Sequence, residues 1–322
     1  MKKIIIFIVI VQIGLIGILS AKIYNKKKVL GTASVNVIDK KSIVLSPNRE
    51  LRYFYEPKEN SDAPFIKPPY FPYPAKYTIN SDSLNERFEY SPEKPDGVFR
   101  IITLGDSFTF GLYVDTPDNW TELLEDKLNS LSCTKVKKFE VINLGVFGYD
   151  KEYSVERFRR RGVKYDPDLV IWLDVYFQRL TEETGRFMEN QKDNPKIRGN
   201  ADAQGKKEYP FEPWKRALYE ILQKTPEKEI LTFQGAAIKK LDQYFNKDLV
   251  FIPVKNFFTQ EELNFSKNII SQRPKGHFFD GLRDIYATDG YFADKHPNKK
   301  GHEMIAEDVF NYLRANNIIS CN

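Results

Sequence analysis

The sequence is poor in the residues that build metal and thiol sites. It has two cysteines, three histidines and three methionines in 322 residues. Cys133 and Cys321 form no Cys-x-x-Cys pair, and the histidines do not cluster with them, which argues against a structural zinc site. We therefore expect no metal and no other cofactor.

Charge of one sign is not concentrated anywhere in the chain. There are 49 basic and 44 acidic residues, with a formal net charge of +5, and the two signs are mostly interspersed. Nucleic-acid binders more often have a basic stripe, so we expect no nucleic-acid partner. A hydrophobic fraction of 41% and an aromatic fraction of 14% are sufficient for a folded core.

The two cysteines permit two interpretations. Each follows the end of a predicted helix, and the two helices could lie on one face of a sheet. In an exported protein, Cys133 and Cys321 could therefore form a disulfide. They could equally be two unrelated free thiols, and the sequence leaves both interpretations open.

Residues 4–21 form the only long run without a charged residue, and lysines flank it on both sides. This pattern is typical of a signal peptide or a membrane anchor rather than of a core helix. Cleavage after Ala21 would place Leu19 three residues before the cut, where a small residue is preferred. We therefore expect an uncleaved anchor.

Composition divides the chain into three parts, without an internal repeat. Residues 1–22 contain the apolar segment, and residues 23–97 are polar, proline-rich and aromatic, which disfavours helices. The aromatic residues of this extension indicate that it packs against the main domain. Residues 98–322 alternate strand and helix patterns, interrupted by a polar insert at about 178–230.

The alternating region predicts a parallel sheet covered by helices on both faces, because its strands are nearly continuous apolar runs. Predicted strands are 98–104, 139–144, 167–173 and 247–254, and predicted helices are 116–128, 150–163 and 298–315. Ligands of such sheets bind beyond the carboxyl ends of the strands. The functional site is therefore expected in the loops at this edge.

Two of these loops carry residues suited to nucleophilic catalysis. Gly105, Asp106 and Ser107 follow the first strand directly, at a turn where backbone N–H groups can stabilise an oxyanion. Asp294 and His296 lie just before the last helix. A serine nucleophile needs a base near neutrality and a carboxylate that orients this base. The pattern predicts Ser107 as nucleophile, His296 as base and Asp294 as orienting group.

Three sequence blocks resemble those of the SGNH/GDSL hydrolases in order, spacing and strand context. They are residues 105–111 (GDSFTFG), 143–148 (NLGVFG) and 294–302 (DKHPNKKGH). The resemblance covers about residues 98–316. It implies a three-layer, flavodoxin-like α/β fold with a central parallel sheet.

The resemblance also implies roles for individual residues. Ser107 would attack an ester carbonyl, His296 would accept the serine proton, and Asp294 would orient His296. The backbone N–H groups of Ser107 and Gly148 would form part of the oxyanion hole. His302, inside the last helix, is expected to pack or cap locally.

The third block departs from the family pattern. Family members usually have Gly-x-Asn-Asp after the third strand, and the asparagine side chain completes the oxyanion hole. Here that position falls on Phe177, which cannot donate, and the neighbouring Gln178 is the candidate replacement. Loss of one such donor costs on the order of a hundred- to a thousand-fold in rate. A slow esterase, a variant acyl-transfer enzyme and a non-catalytic protein therefore all remain open.

The resemblance and the apolar segment together favour one function. We expect a serine ester hydrolase that removes acyl groups, acetyl above all, from a cell-envelope carbohydrate or glycoconjugate. An O-acyltransferase with the same three residues, or a non-catalytic envelope binding or assembly protein, is the alternative. Lysines after residue 21 favour a cytoplasmic domain, whereas the envelope substrate favours the outer face of a bacterial inner membrane. We expect the outer face, with attachment through residues 4–21.

Overall fold

The computed structural model describes residues 43–62, 75–175, 178–191, 211–319 and 321. The candidate anchor at 4–21 and the position of Phe177 lie outside these residues. In the part of the chain that is described, every helix is too short or too polar to cross a membrane.

Five parallel strands form the central sheet of the protein, and two short antiparallel strands precede them. In chain order the strands are β1 Ile43–Leu45, β2 Tyr55–Pro57, β3 Val98–Gly105, β4 Lys138–Asn143, β5 Leu169–Asp174, β6 Asp248–Pro253 and β7 Gly276–Phe278. The spatial order of the central sheet is β4-β3-β5-β6-β7. This is the flavodoxin-like order 2-1-3-4-5, which confirms the predicted fold class. The sequence pattern did not reveal β7, because it is only three residues long and half-buried.

Helices alternate with these strands along the chain. They are α1 Ser107–Phe110, α2 Trp120–Asn129, α3 Lys151–Arg157, α4 Thr181–Asn190, α5 Phe211–Lys224, α6 Glu227–Leu241, α7 Gln260–Gln272 and α8 Lys299–Ala315. The helix expected from residue 116 starts later, because Thr116–Asp118 form a 3-10 turn that ends in extended backbone at Asn119. The helix expected over 150–163 is α-helical only to Arg157 and continues as a π-turn.

The three middle strands of the central sheet, β3, β5 and β6, bury both of their faces under helices. In β5, Leu169, Ile171 and Leu173 point into a cluster with α2 and α8, whereas Val170 and Trp172 point into a second cluster with α3, α6 and α7. Successive side chains of a strand point to opposite faces, so an all-apolar strand must be covered on both sides. The result is a three-layer α/β/α arrangement.

The described parts of the extension, 43–62 and 75–97, pack on the main domain, and residues 55–57 and 77–79 do so near the carboxyl edge of the sheet. Strands β1 and β2 pair with each other and lie over the loop that follows β4. Tyr77 and Ile79 pack against Phe110 at the end of α1. Residues of the expected insert at 178–230 form α4, α5 and the first turn of α6.

Cys133 and Cys321 form a disulfide. It joins the loop after α2 to the chain just beyond α8. The backbone of Thr134 adds a second link, since its N–H donates to the carbonyl oxygen of Cys321 at 2.9 Å. Of the two interpretations of these cysteines, the structure contains the bridge.

Candidate active site

The turn between β3 and α1 presents Ser107 at the carboxyl edge of the sheet. Gly105 has a φ of +154°, and a Cβ at this position would lie 2.5 Å from the carbonyl oxygen of Leu173. Only glycine therefore allows the chain to turn this close to β5. Asp106 caps the new helix, because its Oδ1 accepts the N–H of Phe108 at 3.0 Å. Ser107 is the first residue of α1, so its N–H has no carbonyl partner within this helix.

The structure brings the three predicted catalytic side chains into one chain of hydrogen bonds. His296 Nε2 lies 2.9 Å from Ser107 Oγ, although the two residues are 189 positions apart. His296 Nδ1 lies 2.9 Å from Asp294 Oδ2. Asp294 Oδ1 also accepts the backbone N–H of His296 at 3.2 Å. Nucleophile, base and orienting carboxylate thus have the geometry of a catalytic triad.

The loop before α8 is held in this shape by its own hydrogen bonds. Lys295 adopts a left-handed backbone, with a φ of +78°, which is uncommon for residues other than glycine. Phe292 N donates to His296 O at 2.8 Å, and Lys295 N donates to Phe292 O at 2.9 Å. Tyr286 Oη donates to Lys295 O at 2.8 Å. These contacts fix Asp294 and His296 relative to each other.

The electrostatics of the pair suit general-base catalysis. Burial raises the pKa of Asp294, but hydrogen bonds and the charge of His296 outweigh it, so this pKa lies below its ordinary value. Asp294 is therefore ionised at neutral pH and accepts a hydrogen bond from the Nδ1–H group of His296. With the Nδ1 proton held in this way, Nε2 is the ring nitrogen that faces the hydroxyl of Ser107.

Tyr113 is a member of the site that the sequence did not reveal. Its side chain hydrogen-bonds Asp294, and its ring lies edge-on to His296 with centroids 5.3 Å apart. Phe108 packs against the same imidazole at 5.6 Å. Tyr113 has a φ of +74°, and its N–H donates to Tyr77 Oη at 2.8 Å. The extension thus supports the residue that holds the orienting carboxylate.

Gly148 lies in the loop after β4, beside the nucleophile turn. The two loops touch, because Val146 N donates to Gly105 O at 3.3 Å. Gly148 has a φ of +82°, and a Cβ there would lie 2.5 Å from Tyr55 Oη. That hydroxyl donates to Phe147 O at 2.6 Å. The extension therefore packs directly on the loop expected to supply an oxyanion donor, and the donor role of Gly148 stays a prediction.

Gln178 was predicted as a replacement oxyanion donor, but in the structure its side-chain amide binds elsewhere. Its Nε2 donates to Glu262 Oε1 at 2.6 Å. Glu262 also closes the capping box of α7 with Thr259. The amide is therefore engaged by the start of α7, and the geometry does not support Gln178 as the oxyanion donor. Counting along the sequence could not show the direction in which this side chain points.

The next residue, Arg179, points toward the nucleophile turn instead. Its Nη1 lies 3.5 Å from Asp106 Oδ2 and 3.4 Å from Tyr149 O. The side chain is 7% exposed. Burial raises the pKa of Asp106, and the charge of Arg179 opposes that rise. Nothing in the local sequence distinguishes this arginine from a surface residue.

The other two histidines are not part of this arrangement. His302 is buried, its Nδ1 accepts the N–H of Trp120 at 3.2 Å, and burial lowers its pKa to about 3. It is neutral at physiological pH and holds the start of α2. His277 Nε2 lies 2.8 Å from Asp248 Oδ1 at the opposite, amino end of the sheet.

Several solved structures are similar to this chain. Esterase EstA from Pseudoalteromonas sp. is 17% identical, covering 68% of this chain and 99% of its own, with a TM-score of 0.44. A lipase/acylhydrolase from Enterococcus faecalis is 12% identical, covering 68% and 96%, with a TM-score of 0.43. A catalytic mutant of Axe2, an acetylxylan esterase from Geobacillus stearothermophilus, is 16% identical, covering 69% and 95%, with a TM-score of 0.42.

No protein-family model and no curated protein sequence matches the chain. The strand order of the central sheet is observed in this chain directly, as are the contacts that join Ser107, His296 and Asp294. The chain has the three-layer, flavodoxin-like α/β fold with a central parallel sheet. The fold prediction made from the three sequence blocks is thereby confirmed, and the activity is a separate question.

Proposed function

We propose that this protein is a serine ester hydrolase. The observation that carries the proposal is the continuous contact from Ser107 Oγ through His296 to Asp294, with both distances at 2.9 Å. Such a chain needs a serine, a neutral imidazole and an ionised carboxylate in that order. All three are buried or half-buried at the edge of the sheet where ligands bind.

The proposed reaction has two steps. Ser107 Oγ bonds to the ester carbonyl carbon while its proton passes to His296 Nε2, and the carbonyl electron pair moves onto oxygen. Collapse of this oxyanion breaks the ester C–O bond, and the leaving alcohol takes the proton from His296. Water, deprotonated by His296, then attacks the carbonyl carbon of the acyl-serine. As the bond between this carbon and Ser107 Oγ breaks, His296 returns the proton to Oγ and the acid is released. Asp294 keeps the imidazole oriented throughout, and the N–H groups of Ser107 and Gly148 face the oxyanion.

The proposed substrate is an acyl ester, acetyl above all, on a cell-envelope carbohydrate or glycoconjugate. Two features support this placement outside the cytoplasm. The disulfide between Cys133 and Cys321 is of the kind that persists in oxidising compartments. The uncharged segment 4–21 has the composition of an anchor or a signal.

The test uses the full chain purified in detergent. We expect hydrolysis of p-nitrophenyl acetate and labelling by a fluorophosphonate probe, and we expect both to be lost in Ser107→Ala. Ser130→Ala is the matched control, because this serine is exposed and its hydroxyl donates to the carbonyl oxygen of Lys127, within its own helix end. A wild-type protein that neither turns over the ester nor takes up the probe would refute the proposal.

The acceptor is tested separately, since a transferase would form the same acyl-serine. The full chain is incubated with acetylated glycan, with and without unacetylated oligosaccharide. Free acetate at the same rate in both cases supports hydrolysis. Acetylated oligosaccharide in place of free acetate would identify an O-acyltransferase.

A further inference from the structure

The third block of the sequence lacks the expected asparagine, yet a buried cation lies where that block meets the nucleophile. Arg179 comes directly after Gln178, which faces away toward α7. Its guanidinium lies between the residue preceding Ser107 and the residue following Gly148, at 3.5 Å from Asp106 Oδ2 and 3.4 Å from Tyr149 O. These two segments carry the backbone N–H groups expected to face the oxyanion.

The main chain around Arg179 is held firmly in place. Its carbonyl oxygen accepts a hydrogen bond from Nε2 of Gln234, a buried residue of α6, at 2.8 Å. Thr181 clamps the other loop, because its N–H donates to Asp150 Oδ2 at 2.9 Å and its hydroxyl donates to Gly148 O at 3.3 Å. Hydrogen bonds thus fix the main chain of residues 179–181 against α6 and the loop after β4. Electrostatic stabilisation of a transition state depends on groups that are preorganised in this way.

A buried guanidinium is costly unless its charge is compensated. Burial raises the pKa values of Asp106 and Asp150, and the positive charge of Arg179 opposes this rise at both carboxyl groups. Both carboxylates are buried beside Ser107 and Gly148. An anion that develops between these loops during the reaction would enter the field of the same cation, in surroundings where little water screens it.

We propose that Arg179 stabilises the oxyanion of the acyl-transfer step, in place of the side-chain amide that the third block lacks. The inference deepens the proposed hydrolase function and rests on it. Arg179 makes no new bond in this step. The positive charge of its guanidinium faces the carbonyl oxygen as that oxygen takes up the electron pair, and the interaction weakens when the carbonyl re-forms.

The competing explanation is that Arg179 only neutralises Asp106. A double-mutant cycle separates the two roles. For the full chain we expect Arg179→Gln to lower kcat by about a hundred- to a thousand-fold, with KM nearly unchanged, as for loss of one oxyanion donor. Arg179→Lys should recover part of kcat. Asp106→Asn in the Arg179→Gln background should not restore the rate, whereas restoration would overturn the proposal.

A second readout reports the oxyanion itself. Phenylboronic acid forms an anionic tetrahedral adduct with an active serine, so its inhibition constant should rise in parallel with the loss of kcat/KM in both Arg179 variants. Arg186→Lys and Arg186→Gln are matched controls, because this arginine lies on α4 with a half-exposed side chain. Unchanged boronate affinity with unchanged kcat in a second variant that removes the charge, Arg179→Met, would overturn the proposal even if the glutamine variant does not fold.

Failure of this inference is distinguishable from failure of the proposed function. An active, probe-labelled wild type together with equally active Arg179 variants would refute only the role of Arg179. A wild type without turnover and without labelling would refute both.

Discussion

Replacement of Asp294 by asparagine changes one atom in the chain of hydrogen bonds and should nearly abolish activity. The carboxylate accepts two hydrogen bonds from His296, one from Nδ1–H at 2.9 Å and one from the backbone N–H at 3.2 Å. An asparagine has nearly the same volume as the aspartate, and its Oδ1 can still accept the hydrogen bond from the backbone N–H of His296. Its NH₂ group, however, would face Nδ1 and favour the tautomer with the proton on Nε2. That nitrogen could then no longer accept the proton of Ser107.

The size of the effect follows from the role of the carboxylate. The wrong tautomer in an equivalent triad lowers kcat by about 10⁴-fold. At 1.36 kcal/mol per tenfold, this is about 5.4 kcal/mol of lost transition-state stabilisation. Burial raises the pKa of Asp294, but its contacts with His296 outweigh this rise and leave the pKa below its ordinary value. The carboxylate therefore acts through His296, and nearly all of the loss should appear in kcat.

The assay is steady-state hydrolysis of p-nitrophenyl acetate, with the thermal midpoint measured for each variant. Asp289→Asn is the matched control, since this aspartate is exposed and its carboxylate pairs with Lys300, away from His296 and Ser107. We expect the control to retain wild-type kcat. A folded Asp294→Asn protein with kcat within tenfold of wild type would refute the triad.

Three further predictions concern the stability of the fold and one neighbour of the site. Reduction of the Cys133–Cys321 disulfide, which closes a loop with a separation of 188 residues, should cost up to about 5 kcal/mol of stability and lower Tm by roughly 10 °C, as measured by calorimetry with and without a phosphine reductant. Tyr113→Phe removes a donor that helps to lower the pKa of Asp294, so kcat should fall by about tenfold and the acidic limb of kcat/KM should move to higher pH. Burial raises the pKa of Glu125 to about 7 from 4.5, so its contribution to stability is lost as pH rises through this window. Glu125→Gln should therefore exceed wild type in unfolding free energy by about 2–3 kcal/mol at pH 8 and by little at pH 5, as measured by urea unfolding.

Each of these has an outcome that would contradict it. An unchanged Tm after reduction would show that the bridge between Cys133 and Cys321 does not constrain the chain. Tyr113→Phe with a normal pH profile would limit this residue to packing. A Glu125→Gln difference that is the same at both pH values would show that the carboxyl does not titrate in this window.

Much of the framework was predictable because it depends on residues that are neighbours in the chain. The apolar runs at 98–104 and 167–173 became β3 and β5, since a strand covered on both faces must be apolar on both. Ser107 was identified by its place directly after a strand, and Asp294 and His296 by their place before a helix. Parallel strands end at one edge, so their loops had to meet there.

The remaining features were decided by contacts between distant parts of the chain. Gln178 and Arg179 are adjacent polar residues, and no local pattern shows which of them faces the nucleophile. The answer depends on Glu262, which draws Gln178 to the start of α7. Tyr113 likewise becomes a site residue only through its contacts with Asp294 and His296.

The sequence by itself determined the layer architecture and the positions of the proposed nucleophile, base and orienting carboxylate, because these follow from periodicity and from residues placed at strand and helix ends. Only the tertiary structure decided which side chains surround them. The direction of a side chain in a loop is set by its partner, and here the partners come from other strands, other helices and the N-terminal extension.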